Sequence, residues 1–436
     1  MTTEGQGGGE RSYGFRTRAI HAGAIPDAVH GARALPIYQT SAFVFDDAAD
    51  AAARFALQKY GNVYSRLSNP TVAAFEERVA SLEGGLGAVA TGSGLGAEMV
   101  TFAALAGAGD EIVASASLYG GTVTQLDVTL RRFGVSTTFV GSHDPEAYAA
   151  AVTDRTRLIF VESIANPSGA IADLAGLADV AGAHGLPLVV DSTVATPYLL
   201  RPLEWGADIV THSATKFLGG HGTTLGGVVV ESGRFDWAGG KFPLFTEPVP
   251  HYGGLTWSGN FGEYAFLTRL RAEQLRDLGP VLAPHSAWLL AQGLETLPLR
   301  MQAHVDNARI VAQWLEADPR VSVVNWAGLP SHPHHDRAQR YLPQGPGSVF
   351  TFEVEGGRPV GQRFIESVDL ASHLANIGDT KTLVIHPAST THAQLSEQQL
   401  LDGGVAPGLV RISVGLEDAV DIIDDLDQAL ATAVAG

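Results

Sequence analysis

Residues 187–222 read PLVVDSTVATPYLLRPLEWGADIVTHSATKFLGGHG. Two apolar runs in this stretch, PLVV and ADIV, are only four residues long, and each gives way at once to polar residues, Asp191 to Thr193 after the first and Thr211 to Ser213 after the second. Runs this short and this rich in valine and isoleucine read as strands buried on both faces. The pattern extends in both directions. GAVAT (87–91), EIVAS (111–115), STTFV (136–140), LIFVES (158–163) and GGVVVES (226–232) are further strand candidates, with helical stretches between them. Seven strands in such alternation imply βαβ units and a mainly parallel seven-stranded sheet, an α/β fold. Ligands of these sheets bind beyond the carboxyl ends of the strands, so the polar residues that close each run are the ones to read for chemistry.

After about residue 280 the pattern changes to amphipathic helices around Ala287–Leu297 and Ala303–Leu315, the strands SVFTFEV (348–354) and LVRISVGLE (409–417), and a last helix near Val420–Ala433. Single cores stop growing at about 250–300 residues, so a chain of 436 predicts more than one domain. The expected division is a tail and an arm toward a neighbouring subunit over 1–65, a large domain over 66–280 and a smaller C-terminal α/β domain over 281–436. Residues 36–45, PIYQTSAFVF, carry the arm reading, because that stretch shows little helical period.

Hydrophobic residues are 45% of the chain and charged residues 17%, an ordinary globular balance. A net charge of −18, from 28 basic against 46 acidic residues, argues against nucleic acid as a partner. With no cysteine, disulfides, thiolate metal sites and a cysteine nucleophile are excluded. The start, MTTEGQGGGE, lacks the basic and apolar regions of a signal peptide, and a cytoplasmic location is expected. The weakly polar stretch 84–109 is long enough to raise the question of a membrane span, but Glu98 and its many glycines do not suit a lipid-facing helix. SHPHHD (331–336) gathers His332, His334, His335 and Asp336 at irregular spacing; it reads as a polar loop, and no metal is expected.

Three segments carry chemistry. In VTHSATKF (210–217), Ser213, Thr215 and Lys216 place two hydroxyls and an amine within four residues at a strand end. A Schiff-base enzyme needs this set, an amine to reach an aldehyde beside groups that hold a phosphate dianion. Alone it equally describes a solvated lysine after two capping hydroxyls. Asp191 closes a strand about 25 residues earlier, where a carboxylate can keep a pyridinium nitrogen protonated; strand-end carboxylates also simply cap turns. ATGSGLGAE (90–98) is a glycine-rich turn between strand and helix, whose N–H groups at Gly94 and Leu95 suit a phosphate. Such turns are also common as plain structure, and the G-x-G-x-x-G spacing of dinucleotide sites is absent.

Taken together, these segments resemble the Cys/Met-metabolism family of fold-type-I enzymes dependent on pyridoxal 5′-phosphate (PLP), over about residues 16–431. HSATKFLGGH is the most specific part of the resemblance. It implies Lys216 as the lysine bearing the cofactor as an internal aldimine, with Ser213 and Thr215 as phosphate ligands. YSRLSNPT implies that Tyr64 and Arg66 reach the phosphate in a neighbouring subunit, so that sites are shared across a dimer and the assembly is a homo-oligomer, expected as a tetramer. SLYGGT implies Tyr119 over the pyridine ring; ESIANP implies Glu162 and Asn166 beside the ring and its phenolic oxygen. Thr193 matches the position against the other ring face, and Arg411 in VRISVGLED the arginine that grips the substrate carboxylate through its planar fork. Two departures stand out: the turn has Leu95 where methionine or glutamine is expected, and Ser192 follows Asp191 where asparagine is usual.

Within the family, GLPSHPHHDRAQRYLPQGPGSVFTFEV (328–354) and ANIGDTKTLVIHPASTTH (375–392) resemble the O-acetylhomoserine sulfhydrylase branch. Lys381 stands where cystathionine synthases and lyases typically carry glutamate, which disfavours an incoming cysteine ammonium. Asn376 takes the position beside the substrate carboxylate. The implied reaction is γ-replacement on O-acetyl-L-homoserine by sulfide or methanethiol, with Lys216 moving the proton, Asp191 holding charge and Tyr119 or Tyr64 assisting the leaving group. A γ-lyase acting on methionine, a cystathionine γ-synthase and a non-catalytic binding protein of the same fold are the alternatives.

Overall fold

The computed structural model describes residues 13–390 and 406–435; the glycine-rich start at 1–10 and the last two residues of the 375–392 stretch lie outside them. Every strand candidate between 87 and 231 is a strand: β1 (Gly87–Thr91), β2 (Glu111–Ser115), β3 (Ser136–Val140), β4 (Thr156–Glu162), β5 (Leu188–Asp191), β6 (Ile209–His212) and β7 (Gly227–Glu231). They form one sheet in the order β1-β7-β6-β5-β4-β2-β3. β2, β3, β4, β5 and β6 pair in parallel, and β7 runs antiparallel between β1 and β6. β1 therefore points the same way as β6, and the carboxyl ends of β1 to β6 share one edge.

The valine-rich runs are buried on both faces because alternate residues feed two cores. Val190, Val210 and Val228 belong to the core under the helices Pro70–Glu83 and Pro284–Glu295, whereas Val189, Ile209 and Val229 belong to the core under the helix Gly94–Leu105. Each such side chain contributes roughly 1.5–3 kcal/mol on leaving water. The 70–83 helix starts where Asn69 accepts the Thr71 N–H ahead of Pro70 and stops at Gly84, whose φ of 76° few other residues adopt.

A second, smaller sheet has the order β10-β11-β12-β9-β8, from β8 (Val321–Asn325), β9 (Val349–Val354), β10 (Ser372–His373), β11 (Leu383–Ile385) and β12 (Leu409–Ser413). The helices Gly357–Ser367 and Ala419–Ala435 cover it. The two helices expected after residue 280 are Pro284–Glu295 and Leu297–Ala317; their Ala287, Leu290, Leu294, Met301 and Val305 pack into the core of the large sheet. The described part of the first 65 residues carries helical structure that the sequence reading did not predict. It contains the short helices Phe15–His21 and Ala48–Phe55, the second started by Asp47, whose Oδ1 accepts the Asp50 N–H at 2.7 Å. Among the described residues, no helix is long and apolar enough to cross a membrane.

Candidate active site

At the carboxyl edge of the large sheet lies a cavity of about 230 Å³. Each wall comes from a different strand end: Gly94 and Leu95 follow β1, Tyr119 follows β2, Glu162 ends β4, Asp191 ends β5 with Thr193 just after it, and Ser213, Thr215 and Lys216 follow β6. Asn166 follows β4, and the second sheet contributes Asn376 from the loop before β11 and Arg411 from β12. Of the residues read from the sequence, Tyr64, Arg66 and Lys381 do not reach this cavity within one chain. Arg66 stacks on the Tyr64 ring at 5.4 Å and donates to the Arg276 carbonyl at 2.8 Å.

Ser93 caps the 94–105 helix by accepting the Gly96 N–H at 3.1 Å. The N–H groups of Gly94 and Leu95, first in that helix, are left aimed outward with the positive end of its dipole. A Cβ at Gly94 would stand 2.6 Å from the Ser213 Cβ, so only glycine lets this turn close on the segment that carries Lys216. These donors belong to the backbone, and Leu95 in place of methionine or glutamine leaves them intact. Ser192 is likewise accommodated, buried with its Oγ 3.1 Å from the Ser163 Oγ.

Asp191 accepts the Thr193 N–H at 2.9 Å on Oδ1 and faces the Thr211 hydroxyl at 3.5 Å through Oδ2. The Thr193 hydroxyl in turn accepts the Ser213 N–H at 2.8 Å, which ties the ends of β5 and β6 together. Burial raises the Asp191 carboxyl above its usual range against these donors. A cationic ring N–H beside it would supply the charge that burial leaves uncompensated. Glu162 accepts N–H groups of Tyr119 at 2.5 Å and Asn166 at 3.0 Å, and burial followed by the Asp191 charge lifts it to about 8.

Lys216 donates to Asn376 Oδ1, and burial, followed by the Arg411 guanidinium, lowers its ammonium to about 8. An amine so held is available as nucleophile and as base near neutral pH. Arg411 Nη2 donates to the Asn376 carbonyl at 3.3 Å and Nη1 to Asn166 Oδ1 at 3.4 Å. Among the described residues no carboxylate pairs with it, so its fork is available to an anion.

Lys381 does not line this cavity; it is exposed, with Nζ 3.6 Å from Asp379 Oδ1. His334 Nδ1 sits 3.2 Å from the backbone of Ile171, and His332 Nδ1 accepts the His334 N–H at 3.1 Å. Among the described residues, no group of three or more potential ligands is arranged for a metal ion. One charged wall residue was given no part in the site by the sequence reading: Glu98, buried on the 94–105 helix. Its signal was a carboxyl inside an otherwise apolar helix.

A buried lysine, an acid at the end of the neighbouring strand, a glycine turn with unused N–H groups and an unpaired arginine define a site for a phosphorylated aldehyde cofactor and a carboxylate substrate. The family profile described as Cys/Met metabolism PLP-dependent enzyme matches residues 16–431, and the chain belongs to that family. Among its relatives, the sulfhydrylase FUB7 of Fusarium oxysporum f. sp. lycopersici is 50% identical over 422 residues, 96% of this chain and 98% of its own. The O-acetyl-L-homoserine sulfhydrylase 1 of Thermus thermophilus is 49% identical over 419 residues, 96% of this chain and all of its own. A crystal structure from Campylobacter jejuni, described as a candidate O-acetylhomoserine (thiol)-lyase with a pyridoxyl-lysine-5′-monophosphate residue, superposes with a TM-score of 0.93 at 37% identity, covering 96% of this chain and 100% of that one.

Proposed function

We propose that the protein catalyses γ-replacement on O-acetyl-L-homoserine by sulfide or methanethiol, giving homocysteine or methionine and acetate. The observation that carries this is the role of Asn376 as a bridge: its side chain takes the Lys216 amine and its carbonyl takes Arg411. The groups suited to an amino acid's α-carbon and α-carboxylate thus stand side by side. The named activities of the relatives favour a sulfur nucleophile; Lys381, exposed and outside the wall, adds little to that choice.

When bound, PLP supplies an electron sink for carbanionic charge at the substrate. Arg411 and Asn376 bind and orient the α-carboxylate, while Lys216 removes the α-proton and returns it. Asp191 holds the cofactor's ring nitrogen, and Thr193 and Tyr119 flank the ring. Gly94, Leu95, Ser213 and Thr215 hold the phosphate, Asn166 and Glu162 hold the ring's polar edge, and Tyr119 assists the departing acetate.

Tyr64 and Arg66 of a second copy complete the phosphate site in this reading, in a homo-oligomer assembled as a tetramer. The arm supports it: Val44 is 93% and Tyr60 90% exposed, apolar surface that a second copy would cover. The same reading places the protein in the cytoplasm, in the biosynthesis of methionine. The test is a steady-state assay of acetyl and succinyl esters of homoserine with sulfide, methanethiol and cysteine. Homocysteine and acetate formed in equal amounts, with the highest kcat/KM for the acetyl ester and a small thiol, is the expected result. Preferred formation of 2-oxobutyrate from methionine, or of cystathionine, refutes it.

A further inference from the structure

Glu98 is 4% exposed, the one charged residue of a helix that is otherwise apolar apart from Thr101, and it lines the cavity. Both of its oxygens face one hydroxyl: Thr122 Oγ1 stands 3.1 Å from Oε1 and 2.9 Å from Oε2. Thr122 is itself buried and lies three residues after Tyr119, beyond Gly120 and Gly121. The Tyr119 ring rests on this short segment, since a Cβ at Gly121 would stand 2.4 Å from Tyr119 Cε1. Two consecutive glycines give the segment little stiffness of its own. It is pinned at one end by the Tyr119 N–H on Glu162 and at the other by Thr122 on Glu98.

We propose that Glu98, acting through Thr122, is the positioning residue that fixes Tyr119 over the cavity, and that it does so by hydrogen bonding rather than by charge. Three carboxyls meet here, and their donors are unequal. Glu162 receives two backbone N–H groups, and Asp191 one N–H and a hydroxyl; Glu98 receives only a hydroxyl. No cation pairs with Glu98 among the described residues. Lys216 and Arg411 are engaged by Asn376, while Arg269 and Arg271, on the helical segment against the 94–105 helix, are engaged by Ala104 and Glu273 and by Glu76. Burial and then the Asp191 charge raise Glu98 well above the ordinary carboxylate range, which agrees with the donor count.

The inference rests on reading Tyr119 as a cofactor-facing residue, and the experiment separates the two. Holoenzymes carrying Glu98→Gln, Thr122→Val and Thr122→Ser are compared by hydrogen exchange of residues 118–124, by the pH midpoint of the cofactor's visible band and by kcat and KM. Glu98→Gln keeps an acceptor without charge, so exchange and midpoint should stay as in the parent. Thr122→Val should speed exchange of the segment about tenfold and lower kcat by about tenfold with little change in KM, at full cofactor content, and Thr122→Ser should restore both. A midpoint that falls by a unit or more in Glu98→Gln overturns the proposal, because losing a neighbouring anion disfavours the cationic form of the cofactor. Unchanged exchange in Thr122→Val overturns it equally. Tyr119→Phe tests the reading of Tyr119 on its own, and the exchange result stands whichever way that variant behaves.

Discussion

Replacing Arg411 by alanine should damage substrate capture and leave the cofactor in place. The two protein contacts of its guanidinium, at 3.3 and 3.4 Å, are long and go to neutral oxygens, so most of its capacity is unspent before substrate arrives. A carboxylate held in the fork takes two charge-assisted hydrogen bonds, each about 1.5–3 kcal/mol. Losing both removes about 3–6 kcal/mol, or roughly 10²–10⁴-fold in kcat/KM. The contact serves ground state and transition state alike, so the loss should fall mainly on KM. Lysine at 411 keeps the charge without the fork and should recover only part of the loss. A second effect follows from the Lys216 amine, which Arg411 helps to lower: in the apoprotein of Arg411→Ala that amine should titrate higher, since removing a cation favours the ammonium. The measurements are kcat and KM toward O-acetyl-L-homoserine beside the visible band that reports bound cofactor. A KM within threefold of the parent, or a loss explained wholly by missing cofactor, refutes the assignment of Arg411.

Borohydride should fix the cofactor to Lys216, and labelling at full stoichiometry in Lys216→Ala would show that another lysine carries it. Mixing Arg66→Ala with Lys216→Ala under subunit exchange should restore activity in hybrids; proven exchange without recovery would remove the shared site. Away from the cavity, burial raises Glu231 to about 8 although Trp237 Nε1 donates to it at 2.6 Å. The folded chain keeps a proton that the unfolded chain releases above about 4.5, so the stabilising contribution of the neutral acid is present below that pH and lost on rising toward 8. Glu231→Gln should therefore gain Tm relative to the parent between pH 5 and 8, by an amount equivalent to at most about 3 kcal/mol at pH 7. A difference that stays flat across this range counts against the buried acid.

The central sheet was legible because its strands are buried on both faces, which forces short unbroken runs such as LIFV and PLVV. The candidate site was legible for a related reason: Glu162 and Asp191 are the residues at which two of those runs stop, and Ser213 is the first residue after β6. The cavity wall contributed by the second sheet was harder to see. Asn376 lies between two short strands of two and three residues, and its place was available only from the resemblance. The helix Ala48–Phe55 was missed although Asp47 and the alanine run after it form a start signal; the apolar stretch at 36–45 before it drew the reading toward an extended arm. Glu98 was noticed only as an obstacle to a membrane span, because a carboxyl in an apolar helix declares burial but not the neighbour that shares it. Lys381 shows the opposite failure: a charge that looked decisive in sequence projects into solvent.

The loop that carries Asn376 does more than present a side chain. Gly378, at φ 75°, lies so close to the Lys216–Phe217 peptide that a Cβ would stand 2.7 Å from the Phe217 nitrogen, and its own N–H donates to Ser413 Oγ at 3.0 Å, two residues along β12 from Arg411. Thr380 adds a backbone hydrogen bond to the Gly220 carbonyl at 3.1 Å. The segment after β6 and the loop before β11 thus meet along a seam, main chain against main chain at Gly378 and Thr380, beside the side-chain hydrogen bond of Lys216 to Asn376. A single methyl group at 378 would act as a wedge in that seam, levering Arg411 away from Lys216 while every catalytic side chain kept its identity.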